Sequence, residues 1–315
     1  MFAPARFPVI LASLLVATLV TACSSASGAA PARVTLAPAT VSESPAATPT
    51  PTFVPDAGAG PASASASASR GRSSGPAARA PGTPAASGGP GRAASGLRGK
   101  TIVVDPGHNG GNAAHPAQIN RLVPAGGGRM KACNTTGTAS ASGYTEHAHN
   151  FDVAQRLAKI LRAEGARVVL TRDNDAGVGP CVDRRAAIGN EASADAVVSI
   201  HADGNESSSA RGFHVIVSSQ MTGGAAVEAR SRALAADVRE GFAAATGMPR
   251  STYTGGGTGI NARTDIAGMN LSTRPAVMVE SGNMHHPTDA AWLASASYRQ
   301  KEAQGLADGL ARFFA

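Results

Sequence analysis

Three short, mainly apolar runs beyond residue 100 are each closed by a polar residue that can bind a metal or carry a proton. The runs cover residues 102–104, 196–200 and 276–279, and they are closed by His108, His201 and Glu280. The first run is β-branched and is stopped by Asp105-Pro106-Gly107, three residues that favour turns. We therefore predict three buried strands, each of which delivers one functional side chain at its C-terminal end.

The remaining pattern alternates between strands and helices. Residues 146–163 carry apolar side chains at the spacing of a helix with one buried face, and Glu164-Gly165 ends that pattern. Helices are also predicted for residues 182–192, 224–246 and, as a pair, within 289–314, and strands for residues 167–172 and 213–217. This order predicts a single α/β domain with a mostly parallel twisted sheet of about six strands and helices on both faces.

Two segments lack such a pattern and are predicted to be loops, residues 109–143 and 253–261. The first is polar, contains Gly126-Gly127-Gly128 and directly follows His108. A loop of this length in a compact domain is usually functional or mobile. We expect it to form a wall or lid of the site to which His108 belongs.

The N-terminus has the pattern of an export signal. Residues 9–20 are apolar apart from Ser13 and Thr18, a run too short to span a membrane, and residues 1–22 fit a signal peptide. The sequence from Val20 to Cys23 looks like a bacterial lipobox, which implies cleavage before Cys23 and a lipid on that cysteine. Ordinary cleavage without a lipid is the alternative. Both routes export the protein; with the lipid anchor we expect it in the cell envelope, at the outer face of the cytoplasmic membrane or in the periplasm.

Residues 23–96 are dominated by Ala, Ser, Pro and Gly and contain one aromatic residue, Phe53. Such a composition cannot bury enough apolar surface to fold, so we predict a disordered tether. Residues 1–100 also carry six of the seven net positive charges, which leaves residues 101–315 at +1; the folded domain is predicted to span residues 97–315. Since no basic and aromatic residues interleave, we expect no nucleic-acid partner. No wall-binding module is visible, so the lipid and the tether would determine where the protein is held.

Export to an oxidising compartment changes the interpretation of the cysteines. With Cys23 assigned to the lipid, Cys133 and Cys181 remain as a pair. We predict a disulfide between them, which would stabilise the fold by about 4 kcal/mol if it acts by constraining the unfolded chain. Two free buried thiols are the alternative.

The closing residues of the three strands meet at one edge if the strands are parallel neighbours. Glu146, which opens the first helix, faces the same edge in that arrangement. Two imidazoles and a carboxylate, with one position left for water, form a catalytic Zn²⁺ site. A second carboxylate beside them can accept a proton from the water and return it to a leaving amine. The residues alone do not decide which glutamate has which role.

These residues resemble the zinc-dependent N-acetylmuramoyl-L-alanine amidases of the type 3 family from about residue 99 to the end. The similarity rests on six blocks in the family's order: residues 102–108, Glu146 with Asn150, Thr171-Arg172-Asp173, Arg185 with Asn190 and Ala194-Asp195, residues 199–203, and residues 275–282. The resemblance implies one zinc ion held by His108, Glu146 and His201, with Glu280 as the catalytic acid–base. It implies hydrolysis of the amide between the lactyl group of N-acetylmuramic acid and L-alanine of the stem peptide.

Other polar residues compete for roles near this site. His147 and His149 flank Glu146 and are alternative ligands. Asn109, His147 and His285 are candidate contacts to a peptidoglycan or muropeptide substrate. Arg172 and Arg185 are expected to hold loops through carboxylates such as Asp173.

Two other functions stay open at this point. A zinc peptidase that cuts within the stem peptide would use the same chemistry. A catalytically inactive lipoprotein that binds muropeptides would use the same groove. For each of these functions a monomer is expected.

The disulfide prediction can be tested by mass spectrometry of proteolytic peptides from the exported protein. The peptides that contain Cys133 and Cys181 should be joined, and reduction should add about 2 Da, the mass of two hydrogens. Unlinked peptides with the same mass before and after reduction would leave two free thiols.

Overall fold

The computed structural model describes residues 96–207 and 209–315. The signal peptide predicted for residues 1–22, the lipidation at Cys23 and all but the last residue of the tether predicted for residues 23–96 lie outside the described residues. Within the described part, no helix is long and apolar enough to cross a membrane.

The central sheet has six strands. They are β1 (Thr101–Pro106), β4 (Arg167–Leu170), β5 (Ala196–Asp203), β6 (His214–Ser218), β7 (Ile260–Arg263) and β8 (Ala276–Asn283). Their order across the sheet is β4-β1-β5-β8-β6-β7. All neighbours are parallel except β6 and β8, which run antiparallel. The prediction of one α/β domain with a mostly parallel six-stranded sheet is therefore confirmed.

The helices cover both faces of this sheet. They are α1 (Pro116–Ile119), α2 (Glu146–Ala163), α3 (Val182–Glu191), α4 (Gly224–Thr246), α5 (Ala267–Asn270), α6 (Pro287–Leu293) and α7 (Ala296–Phe313). The large core cluster lies under α2, α4 and α7 and takes Ile102 and Val104 from β1. Val103, which points to the opposite face, packs with residues near α3 and α5 in a smaller cluster. The central strands are buried on both faces, as parallel strands usually are.

The predicted loop at residues 109–143 contains ordered structure. After a short 3-10 helix and α1, it forms an antiparallel hairpin of β2 (Leu122–Gly126) and β3 (Arg129–Ala132). The inward side chains Val123 and Ala125 are buried, whereas Leu122 on the other side is 62% exposed. The loop prediction was wrong here because both faces carry apolar residues, so the strand lacks the alternation that would reveal it.

The second predicted loop, residues 253–261, gives way to β7 at Ile260, and α5 follows as a further short helix. Four-residue elements are too short to show a periodicity. The ends of β5 and β8 also extend beyond the predicted ends, to Asp203 and Asn283. His201 and Glu280 consequently lie within strands that are still hydrogen-bonded.

A disulfide joins the hairpin to the main body. Cys133 follows β3 and Cys181 precedes α3, and their sulfur atoms are 2.10 Å apart. Cys133 is fully buried. The segment between the hairpin and α2 is thereby attached to the N-terminus of α3.

Candidate metal centre

The turn after β1 is held by two buried guanidinium groups. Arg172 donates to the carbonyl oxygens of Pro106 at 2.9 Å and Gly107 at 3.2 Å. Arg185 donates to those of Pro106 at 2.6 Å and His108 at 2.8 Å. His108 has a left-handed backbone φ of 58°, a conformation that costs a non-glycine residue about 1–2 kcal/mol. The four hydrogen bonds from Arg172 and Arg185 hold the backbone of His108 in this conformation.

Asp105 balances the charge of Arg185. Its carboxylate accepts from Arg185 at 2.7 Å, from Thr171 at 2.6 Å and from Ser199 at 2.7 Å. Burial alone would raise the pKa of Asp105, but Arg185 and the two hydroxyl groups lower it to about 2. The pair is therefore ionised at neutral pH.

The carboxylate that pairs with Arg172 is Asp175, at 2.9 Å, and not the predicted Asp173. Arg172 also donates to Asn109 Oδ1 at 3.3 Å. The two arginines do hold loops, as expected, although through Asp175 and Asp105.

The turn brings His108 to Glu146 and His201. Glu146 Oε1 lies 3.1 Å from His108 Nε2 and 2.9 Å from His201 Nδ1. One ligand atom from each residue lies within 4.8 Å of the other two. Gly107 is needed for this approach, since a Cβ atom there would lie 2.2 Å from the His201 ring.

The loop after Cys133 orients two of these side chains. The carbonyl oxygen of Thr135 lies 3.1 Å from His108 Nδ1, which leaves Nε2 to face Glu146. The backbone amide of Thr138 donates to Glu146 Oε2 at 3.0 Å. A metal-binding histidine usually donates its second ring nitrogen to a carbonyl or carboxylate in this way.

The electrostatics of the cluster suit a cation. Burial opposes ionisation of Glu146, but His108 and His201 outweigh it and hold the pKa of Glu146 well below its usual value. Burial likewise lowers the pKa of His108, yet the Glu146 carboxylate raises it overall. Two imidazoles and one carboxylate are a donor set that Zn²⁺ accepts.

Glu280 lies beside this cluster because the register of the parallel strands β5 and β8 pairs it with His201. Its Oε2 atom is buried and has no hydrogen-bond partner. Burial, with the charges of Glu146 and Asp203, raises the pKa of Glu280 well above its usual value. A buried carboxyl group with a raised pKa is suited to accepting and donating a proton.

All four residues line one cavity of about 380 Å³. One wall is formed by the segment from Lys131 to Thr138, which is the end of β3 and the residues that follow it. The predicted loop therefore does form a wall of the cavity. The other side is apolar and includes Ile266, Met269 and Met278. The cavity thus joins a polar wall, the candidate metal ligands and an apolar surface.

The three residues predicted to contact substrate have other partners in this structure. Asn109 is buried behind the turn, and His147 Nδ1 lies 2.7 Å from Asp175. His285 Nε2 lies 2.9 Å from the hydroxyl group of Thr138, a residue of the cavity wall. Of the three, His285 is the one in direct contact with that wall.

The alternative ligands do not reach the cluster. His147 pairs with Asp175, and His149 is fully buried with its Nε2 atom 3.3 Å from Glu302 on α7. Burial lowers the pKa of His149 to about 4 and raises that of Glu302 well above its usual value. These two side chains are therefore an uncharged pair in the core.

Several residues that shape the site were not singled out in the sequence. Thr135 and Thr138 orient the cluster through backbone atoms, for which the sequence offers no signal, and the Thr135 hydroxyl group also lies 3.2 Å from His108 Nδ1. The sequence does offer a signal for Asp203 and His214. Asp203 is two residues from His201, and His214 is a polar residue within an apolar strand.

A two-histidine, one-carboxylate cluster beside a carboxyl group of raised pKa, at a sheet edge, is typical of metal-dependent hydrolases. Residues 102–312 match the family model described as N-acetylmuramoyl-L-alanine amidase. The chain belongs to this family.

Similar proteins from mycobacteria are named as amidases of this kind. An N-acetylmuramoyl-L-alanine amidase of Mycobacterium tuberculosis is 42% identical over 219 residues, which are 70% of this chain and 88% of that protein. The crystal structure of the amidase Ami1 from Mycobacterium smegmatis is 44% identical with a TM-score of 0.65, covering 69% of this chain and 98% of that one. Ami1 from Mycobacterium abscessus, solved without ligand, is 40% identical with the same TM-score, covering 69% and 100%.

The buried pair of His149 and Glu302 predicts a dependence of stability on pH. Because the pKa of Glu302 is raised in the fold, the unfolded chain releases this proton first as the pH rises above about 4.5, the ordinary pKa of the group. The stability gained from protonated Glu302 is full below that pH and is lost above it. Glu302→Gln should therefore increase the free energy of unfolding at pH 8 by about 1–3 kcal/mol, with less gain at pH 5.

Denaturant unfolding at both pH values, in the presence of a chelator, measures this difference. Glu191→Gln is the matched control because Glu191 is exposed and pairs with Arg184 at the surface; it should change the free energy by less than about 0.5 kcal/mol. An equal effect of Glu302→Gln at the two pH values would contradict the protonated state of Glu302.

Proposed function

We propose that residues 97–315 are the catalytic domain of a zinc-dependent amidase that cleaves the bond between the lactyl group of N-acetylmuramic acid and L-alanine of the stem peptide. The observation that carries the proposal is the convergence of His108, Glu146 and His201 with Glu280 on one cavity. Family membership supports the choice of this amide.

His108, Glu146 and His201 are the proposed ligands of one zinc ion. Zinc at this position would supply a Lewis acid for the scissile carbonyl and make a water molecule more acidic. Thr135 keeps His108 in the tautomer that presents Nε2, and Thr138 fixes the Glu146 carboxylate. The cluster is thus oriented by backbone atoms of the wall that the disulfide anchors.

Glu280 is the proposed acid–base group. It accepts the proton of the attacking water and then gives it to the nitrogen of the departing L-alanine, so no net proton is taken from the protein. Its raised pKa makes it a stronger base than an exposed glutamate. No serine or cysteine nucleophile is required.

The proposal includes the location of the enzyme. The apolar run at residues 9–20 and the sequence from Val20 to Cys23 support export and a lipid anchor, and residues 23–96 would then be the tether to the membrane. The partner is peptidoglycan or a muropeptide, and the enzyme is proposed to act as a monomer. A probable cell wall amidase of Staphylococcus epidermidis is also similar, at 30% identity over 69% of this chain and 60% of that protein.

The rival functions have less support. A peptidase within the stem peptide would use the same zinc and Glu280, but relatives such as Ami1 are named as amidases. An inactive binding protein has no need of a buried carboxyl group of raised pKa beside a cation-binding cluster.

Incubation of the zinc-loaded protein with purified muropeptides tests the reaction. Intact stem peptide with a free N-terminal L-alanine is the expected product, identified by mass spectrometry. Shortened stems would indicate a peptidase, and unchanged muropeptide a binding protein.

Glu280→Gln should lower kcat by at least about 100-fold, the usual contribution of a general acid–base group, while the bound zinc per chain stays the same. Glu191→Gln serves as the control and should keep full activity. Full activity of Glu280→Gln would remove Glu280 from the mechanism.

A further inference from the structure

Glu280 has a second neighbour in the sheet. β6 and β8 run antiparallel, and their register sets His214 directly opposite Glu280. Residues opposite each other in an antiparallel pair project from the same face, with Cβ atoms about 4.5–5.5 Å apart. The imidazole of His214 and the carboxyl group of Glu280 therefore lie side by side, with His201 on the other flank of Glu280.

Each of these two side chains has a buried polar atom without a hydrogen-bond partner. The atoms are Glu280 Oε2 and His214 Nδ1, and His214 is 2% exposed. A buried polar atom left unpaired costs about 1–3 kcal/mol. No direct hydrogen bond joins the two atoms, and their neighbouring positions on one face of the sheet indicate that a single ordered water molecule bonds to both.

The surroundings of His214 hold its ring uncharged and in place. Burial lowers the pKa of His214 to about 4 against the opposing charge of Asp203, so the ring carries one N–H group at neutral pH. Tyr253 packs edge-on against it at 5.9 Å, and the Tyr253 hydroxyl group donates to Asp203 at 2.9 Å. The ring therefore has little freedom to turn away from Glu280.

We propose that His214 is a positioning residue for Glu280. The Nδ1–H group of His214 donates to one ordered water molecule, which donates to Glu280 Oε2 and leaves Oε1 to face the cavity. The proton of the reaction moves on and off Oε1, and the Nδ1 proton stays on His214. The inference rests on the proposed function, since it needs Glu280 to be the acid–base group.

Three variants of His214 separate a hydrogen bond from simple packing. His214→Asn places an amide N–H near the position of Nδ1, His214→Gln places it near Nε2, and His214→Phe keeps a ring without a donor. We expect His214→Phe and His214→Gln to lower kcat by about 10- to 100-fold with KM changed less than about twofold, the effect of a misplaced catalytic group. His214→Asn should recover most of kcat.

Bound zinc per chain and the thermal unfolding midpoint are measured for each variant. If His214→Phe does not fold, the comparison of Asn with Gln decides the outcome. Wild-type kcat in His214→Phe, or an equal loss in His214→Asn and His214→Gln, would overturn the proposal.

A double-mutant cycle separates this proposal from the proposed function. If His214 acts through Glu280, His214→Phe should change the residual turnover of Glu280→Gln by less than about twofold. A full additional loss would mean that His214 acts elsewhere. A fully active Glu280→Gln contradicts the proposed function, whereas an inactive Glu280→Gln beside a fully active His214→Phe contradicts only the role of His214.

Discussion

The site depends on the two guanidinium groups that bind the turn after β1. Arg172 and Arg185 donate to three successive carbonyl oxygens, those of Pro106, Gly107 and His108. They hold His108 in a left-handed conformation, from which its ring reaches Glu146. Removing one partner of a buried ion pair such as Arg185–Asp105 costs about 3–5 kcal/mol. Buried charged groups therefore fix the position of His108.

The second constraint is the register of the parallel strands. Because β8 pairs with β5 so that Glu280 lies beside His201, the proposed acid–base group and the candidate metal ligands share one edge. The antiparallel strand β6 then places His214 on the far side of Glu280. A slip of one residue in either pairing would turn these side chains to the opposite face.

Much of this arrangement could be predicted from the sequence, since buried strands, long helices and their order follow from apolar periodicity. Helix α2 has the predicted bounds, and the closing residues of β1, β5 and β8 meet as expected. The hairpin β2–β3 was missed because its strands carry apolar residues on both faces, and strand β7 because four residues are too few to show a period. Contacts through backbone atoms, such as that of Thr135 with His108, depend on tertiary packing alone.

Anomalous diffraction at the zinc edge from crystals of the zinc-loaded protein tests the central claim most directly. The account predicts one strong peak in the cavity, with ligand atoms of His108, Glu146 and His201 each about 2.0–2.2 Å away. A peak bound instead by His147 and Asp175, or no peak between the three residues, would contradict it.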